Sequence, residues 1–301
     1  MSSCSAILLA AGRSQRLGFD KILTPLCGRP VLSYSLKSLL ASSRVTEIVI
    51  VTRKDMVSAI VDIVSKESGS KPVRVVEGGA ERQDSVYEGL KNVGQGCERV
   101  LIHDAARPLL SLSMIERTLE ASFKTGAAVA AHRATDTLKE VGEDGEIGAT
   151  IDRSKVWLME TPQIFEKDLI IRSYEKVIHE KAAVTDDAST VELAGGRVVV
   201  VESDTLNLKI TRAMDWQILE LWLGQNEWSG VRSEVHQLSN ELSPLVGYLS
   251  LLGKYGGNDT KFIDYFQKCE KSVHEVQTVL HSLQKRIRGI TNQGADCVKG
   301  H

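Results

Sequence analysis

The run Leu9-Ala10-Ala11-Gly12-Arg13-Ser14-Gln15-Arg16-Leu17-Gly18-Phe19-Asp20-Lys21 places small residues and cations directly after an apolar, strand-like segment. A small-residue turn after the first strand of an α/β unit lets backbone N–H groups approach a phosphate chain, and Arg16 and Lys21 supply compensating charge. The spacing is neither G-x-G-x-x-G nor a Walker loop. The missing third glycine argues against a dinucleotide site, and the missing G-K-[ST] argues against a P-loop ATPase. An ordinary strand-to-helix turn with solvated Arg and Lys is an equal reading of this motif alone. Further along, Asp104 ends the apolar run Arg99–Ile102, where ligands of open α/β sheets collect. Magnesium takes few protein carboxylates, so one such Asp is sufficient, with a helix-capping Asp as the alternative. His103 has no second histidine at a ligand spacing and reads as a packing or orienting residue.

These residues need a scaffold, and the pattern supplies one. The chain has 301 residues, 42% hydrophobic and 25% charged, which excludes disorder, collagen-like sequence and a minimal disulfide scaffold and suffices for two cores. With 37 Lys+Arg against 39 Asp+Glu there is no polybasic footprint for nucleic acid or an anionic membrane, so an anionic ligand must be held by locally placed cations. Apolar runs stay short of a membrane span and of a signal peptide. Five widely spaced cysteines (Cys4, Cys27, Cys97, Cys269, Cys297), without a C-x-x-C pair, read as reduced thiols in a cytoplasmic protein.

From residue 5 to about 222, Val/Ile/Leu-rich runs alternate with segments of helical period, the pattern of a Rossmann-like, mostly parallel α/β sheet covered on both faces. The expected strands are Ala6–Leu9, Glu47–Val51, Val73–Val76, Arg99–Ile102, Ala127–Ala131 and Arg197–Val201. Pro30 is expected to open a helix through Leu39, and Arg82–Leu90 forms another. Between Thr135 and Trp157, two β-like pieces flank Glu143-Asp144-Gly145, which predicts a projecting hairpin arm. After domain 1–222 come a polar linker over 223–232, a helical hairpin over 233–288 and a frayed tail over 289–301. In the hairpin, Val235, Leu238, Leu242, Leu245, Leu249 and Leu252, then Phe262, Phe266, Cys269, Val273, Val276, Leu280 and Leu283, fall at alternating spacings of three and four. That makes one apolar seam per helix, and a hairpin of this size wants a partner; pairing of two copies into a four-helix bundle is the expectation.

Five groups of residues follow one another: Gly12-x-x-x-Arg16-x-Gly18-x-x-Lys21; Gly78-Gly79-x-x-Arg82-x-x-Ser85; His103-Asp104-Ala105-Ala106-Arg107-Pro108; Thr161-Pro162-Gln163 with Thr185-Asp186-Asp187-Ala188-Ser189; and Asn207-Leu208-Lys209-Ile210-Thr211. In this order they resemble the 2-C-methyl-D-erythritol 4-phosphate cytidylyltransferase family over residues 5 to about 222. The resemblance implies transfer of CMP from CTP to the polyol phosphate in non-mevalonate isoprenoid biosynthesis. Ala10, Ala11 and Gly12 would cradle the triphosphate, while Arg16, Lys21 and Lys209 would be catalytic cations. Gly79 and Ser85 would read cytosine, and Asp104 and Ala105 would complete the nucleotide site, with Mg2+ on Asp104. Arg107, Thr137, Arg153, Thr161 and Lys209 would hold the polyol phosphate. The arm carrying Thr137 and Arg153 would cross to a second subunit and make a homodimer. Two departures touch nucleotide specificity: Ala80 stands where an acidic residue is usual, and Asp20-Lys21-Ile22-Leu23 replaces Pro-Lys-Gln. Other readings are a cytidylyltransferase for another polyol phosphate, such as ribitol 5-phosphate, and a phosphorelay or scaffold protein with a degenerate transferase.

The segment from about Ser233 to Arg286 resembles the dimerisation and phosphoacceptor hairpin of histidine kinases, with His236 at the phosphoacceptor position. Gln237 replaces the acidic neighbour that would act as a base, and dimerisation is the favoured role over phosphotransfer from a separate kinase.

Overall fold

The computed structural model describes residues 3–12, 17–67, 69–203 and 205–224, together with positions 238, 263–264, 266–269, 271–276, 278–280 and 282. Arg16, His236, most of the first hairpin segment and the tail lie outside the described residues. The chain divides into two compact units, Met1–Pro25 with Arg29–Asp215, and Leu26–Gly28 with Trp216–His301.

The first unit is built on strands β1 (Cys4–Leu9), β2 (Val45–Thr52), β3 (Val73–Glu77), β4 (Arg99–Asp104) and β5 (Ala127–Arg133). An arm of β6 (Leu138–Val141) and β7 (Ile147–Ile151) follows, then β8 (Trp157–Glu166) and β9 (Val199–Glu202). Seven of these form one sheet in the order β9-β5-β8-β4-β1-β2-β3, and β6 pairs with β7 alone. β1, β2, β3 and β4 run parallel, and β9 is parallel to β5. β8 is antiparallel to both its neighbours.

Alternation along β1 sorts the core. Ala6, Leu8 and Ala10 face one layer with Leu32, Leu36 and Leu39 of α1 (Val31–Ala41), Ile60 of α2 (Val57–Lys66) and Ile115 of α4 (Leu112–Thr125). Ile7 and Leu9 face the other, with Val86 and Leu90 of α3 (Arg82–Lys91), Tyr174 of α5 (Lys167–Glu180) and Val191 of α6 (Asp187–Leu193). Burial on both faces is why these strands read as near-continuous apolar runs. Pro30 is the N-cap of α1, with ψ of 139°, and the helix begins one residue later than expected.

The apolar pattern does not mark β8, an interior strand of the sheet between β5 and β4. It carries Glu160, Thr161, Pro162 and Gln163, residues that argue against a central strand. It is admitted because its buried polar groups are bonded: Gln163 Nε2 donates to Asp186 (3.0 Å), and Ala188 N donates to Gln163 Oε1 (3.0 Å). The far ends of β5 and β8 pair, Arg133 opposite Trp157, and carry the β6–β7 arm out as an exposed two-stranded ribbon. In the second unit, Cys269 and Val279 are buried while Phe266, Val273 and Leu280 are exposed. No helix among the described residues is long and apolar enough to cross a membrane.

Candidate active site

Strand register brings the first motif and Asp104 together. Leu9 is opposite Val51 on one side and Asp104 on the other, so β4, β1 and β2 end side by side. Gly78 N donates to Thr52 O (2.8 Å) and extends this rim to the Gly78-Gly79 turn. Over the rim lies a cavity of about 880 Å³ whose walls include Gly12, Lys21, Gly79, Ser85, Asp104 and Lys209. Six of the residues expected to carry the chemistry therefore share one space.

Ala11 also lines it, but Ala10 and Ala105 do not. Their amides donate to Val51 O (2.7 Å) and Leu9 O (2.9 Å), so both N–H groups are committed to strand-end pairing. A Cβ on Gly12 would meet nothing within 4 Å among the described residues, so no packing there calls for a glycine. Gly79 is different: a Cβ would fall 2.2 Å from the Asp84 side chain, so its glycine is dictated by the start of α3, where Glu81 and Asp84 form a capping box.

Asp104 is the electrostatic centre. Lys209 Nζ donates to its Oδ2 at 2.6 Å, and Arg82 stands 3.5 Å from its Oδ1. Burial alone would raise the carboxyl, but Lys209 and Arg82 outweigh it and hold Asp104 well below the usual carboxylate range. Lys209 sits on a segment tied down on both sides: Asn207 donates to Glu160 (2.9 Å) and Thr161 O (2.8 Å), and Ile210 N donates to Ala106 O (2.9 Å). Lys21 Nζ reaches the same segment, donating to Ile210 O at 2.7 Å.

Arg107 and Thr161, expected at the polyol phosphate, lie behind the cavity wall. Arg107 donates to Asn207 O (2.6 Å) and stands 3.8 Å from Glu160. The Thr161 hydroxyl accepts from Asp104 N (3.1 Å) and donates to His103 Nδ1 (3.0 Å), while His103 Nε2 donates to Arg107 O (3.1 Å). Both therefore position Asp104 and Asn207. Thr137 and Arg153 are exposed on and beside the arm, away from the cavity walls, and the Arg153 guanidinium donates to Thr135 O.

Burial pushes the His103 imidazole down from 6.5 to about 4, which makes it a neutral spacer. The neutral form is favoured in the folded chain, so this contribution to stability is complete above pH 6.5 and is lost as pH falls through about 4. Urea unfolding should therefore show about 2 kcal/mol less stability from this group at about pH 5 than at about pH 7.5. His103→Gln should lack that part of the slope, and an unchanged slope would contradict the assignment.

Sequence reasoning did not single out Arg53 or Arg82 as site residues, yet both line the cavity. Arg82 forms a two-pronged pair with the wholly buried Asp187, at 3.0 and 2.8 Å, and Tyr174 Oη donates to the same carboxylate at 2.5 Å. Both partners lay inside quoted motifs, but 105 positions separate them. Arg53 follows the end of β2 by one residue and belonged to no motif.

The family profile of IspD, 2-C-methyl-D-erythritol 4-phosphate cytidylyltransferase, matches residues 4–225. The chain belongs to this family. A cytidylyltransferase of that name from Caldanaerobacter subterraneus is 39% identical over 222 residues, covering 73% of this chain and 98% of the relative. Another from Synechococcus elongatus is 38% identical over 225 residues, covering 74% and 97%. The crystal structure of 4-diphosphocytidyl-2C-methyl-D-erythritol synthase from Anaerococcus prevotii is 34% identical with a TM-score of 0.67, over 74% of this chain and 99% of that one. The cytidylyltransferase domain thus spans nearly the full length of these relatives, and residues beyond 225 lie outside the family match.

Proposed function

We propose that the chain transfers CMP from CTP to 2-C-methyl-D-erythritol 4-phosphate, giving 4-diphosphocytidyl-2-C-methyl-D-erythritol and pyrophosphate for isoprenoid biosynthesis. The observation that carries this is the cavity where Gly12, Lys21, Arg82, Asp104 and Lys209 meet, in a chain covering 98% of a cytidylyltransferase relative. A phosphate oxygen of the polyol phosphate attacks the α-phosphorus of CTP. The new P–O bond forms as the bond to the β-phosphate oxygen breaks, and pyrophosphate leaves with that electron pair. The attacking phosphate is already ionised near neutral pH, so no general base is needed and the chain's task is positioning and neutralisation.

Ala11 and Gly12 cradle the triphosphate, and Lys21, with Arg16, stabilises the charge that builds on the α-phosphoryl oxygens and the leaving group. Gly79 and Ser85 face the cytosine edge. Lys209 serves the incoming phosphate. The donor set at Asp104, an ionised carboxylate on the cavity wall, fits a magnesium ion whose remaining ligands are phosphates and water. Asp104 would hold that ion, which when bound supplies further neutralisation of the phosphates.

The polyol phosphate needs a second subunit. Arg153 and Thr137 lie away from the cavity, on and beside a ribbon whose Val141 and Ile147 are exposed, and such a ribbon suits exchange between two copies. The exposed Phe266, Val273 and Leu280 support self-association of the C-terminal segment as well. Coexpressed Lys21→Ala and Arg153→Ala chains should regain part of the activity that each homodimer lacks, and no recovery in mixed dimers would contradict sharing of the site. The four cysteines among the described residues are thiols rather than disulfides, which suits a reducing, cytoplasmic compartment.

Pyrophosphate release with CTP and a panel of polyol phosphates tests the reading. Turnover with 2-C-methyl-D-erythritol 4-phosphate is expected. Preference for ribitol 5-phosphate would replace the substrate, and CTP binding without turnover on any acceptor would favour a scaffold.

A further inference from the structure

Arg53 is a cation on the cavity wall to which the reaction above gives no task. Its guanidinium works as a fork: Nη1 donates to Gly12 O (2.9 Å), and Nη2 donates to Asp20 Oδ2 (2.9 Å). Nε donates to Asp55 Oδ1 (3.2 Å), and Nη2 also reaches Asp55 Oδ2 (3.3 Å). One planar group thereby grips the two residues that bracket the phosphate motif, Gly12 at its start and Asp20 immediately before Lys21. The second carboxylate holds it from outside.

Asp20 passes this restraint on. Its Oδ1 accepts from Ile22 N (3.0 Å) and Leu23 N (3.4 Å), and its carbonyl accepts from Thr24 Oγ1 (2.6 Å) and Thr24 N (3.1 Å). The turn that aims Lys21 is thus anchored on the Asp20 side chain, and that side chain is anchored on Arg53. A proline at position 20 would fix the local backbone through its ring; aspartate has no such ring, and the ion pair supplies the restraint. The charge of Arg53 is already offset by two carboxylates, which makes it a poor phosphate ligand and a good brace. Burial would lower its pKa, but Asp55 and Asp20 outweigh burial and raise it, so the brace stays charged at every working pH.

We propose that Arg53 is a positioning residue of the triphosphate site, which with Asp20 fixes the spacing between the Gly12 carbonyl and Lys21 and so sets where the catalytic ammonium meets the α-phosphate. This rests on the reaction proposed above. Lysine cannot reproduce the fork, because it carries a single point charge on a flexible stem.

Arg53→Lys in the full-length chain should lower kcat for pyrophosphate release by about 10- to 100-fold, the loss expected when a reacting group is displaced by about 1 Å, with the CTP KM little changed. Asp20→Asn should do the same, and the double variant should be no worse than either single one, since both act through one contact. Additive losses would overturn the proposal. So would a lower CTP KM in Asp20→Asn, because that is the signature of an arginine freed to bind phosphate directly. Hydrogen exchange provides a readout that does not depend on turnover: the Ile22 and Leu23 amides should exchange faster in Arg53→Lys than in the parent, with exchange in β1 unchanged. Unchanged exchange at Ile22 and Leu23 would remove the brace even if the chain transferred a different nucleotide.

Discussion

Lys21→Ala should lower turnover at saturating CTP by about 100- to 1000-fold, the effect of removing one preorganised donor at a site of developing negative charge. The reason is geometric. Lys21 lies between the Gly12 turn and the Lys209 segment, and its ammonium already reaches Ile210 O at 2.7 Å. Alanine deletes the charge and leaves the Asp20 cap on Ile22 and Leu23 in place, so the turn and the fold persist. The loss should therefore fall on kcat, while the base contacts proposed at Gly79 and Ser85 would keep CTP binding. Steady-state pyrophosphate release by parent and variant decides it, with circular dichroism confirming that both are folded. Near-parental kcat would mean that Lys21 does not touch the reacting phosphate.

Arg82→Ala should cost about 3–5 kcal/mol of stability, the range for breaking a buried pair by removing one partner. Asp187 has no exposed surface, and its carboxylate would be left with the Tyr174 hydroxyl as its remaining side-chain donor among the described residues. Replacing both partners by apolar residues, Arg82→Met with Asp187→Leu, should recover most of that stability, because the buried charge is removed along with its partner. Turnover should stay low in the double variant, since Arg82 also faces Asp104 at 3.5 Å and lines the cavity. Urea unfolding beside an activity assay separates the two roles. A loss below about 1 kcal/mol for Arg82→Ala, the size of a surface pair, would contradict the buried-pair account.

The same pair shows where the sequence was legible and where it was not. β1, β2 and β4 could be read because burial on both faces demands unbroken Val, Ile and Leu, a local signal. The arm was legible from Glu143-Asp144-Gly145, since Gly145 takes φ of +83°, as hairpin chemistry requires. β8 was not, because its eligibility as a central strand depends on partners far away in the chain. Ser203 donates to Glu160 at 2.6 Å and Asp104 N donates to Thr161 at 3.1 Å. Within the site, Lys21, Ser85, Asp104 and Lys209 could be found through ordered motifs. Arg107 and Thr161 belonged to the same motifs, yet the fold turns them inward to hold Asn207 and Asp104, which no spacing reveals. Arg53 gave no signal, since its importance arises from β2 lying beside β1 in the sheet.

The central claim is that these cations gather around a nucleotide's triphosphate in the strand-end cavity, and a crystal structure of the full chain with CTP tests it most directly. The account predicts the triphosphate against Gly12 with Lys21 at hydrogen-bond distance from the α-phosphate, and the cytosine edge against Gly79 and Ser85. Triphosphate density elsewhere on the chain, or an empty cavity at saturating CTP, would contradict it.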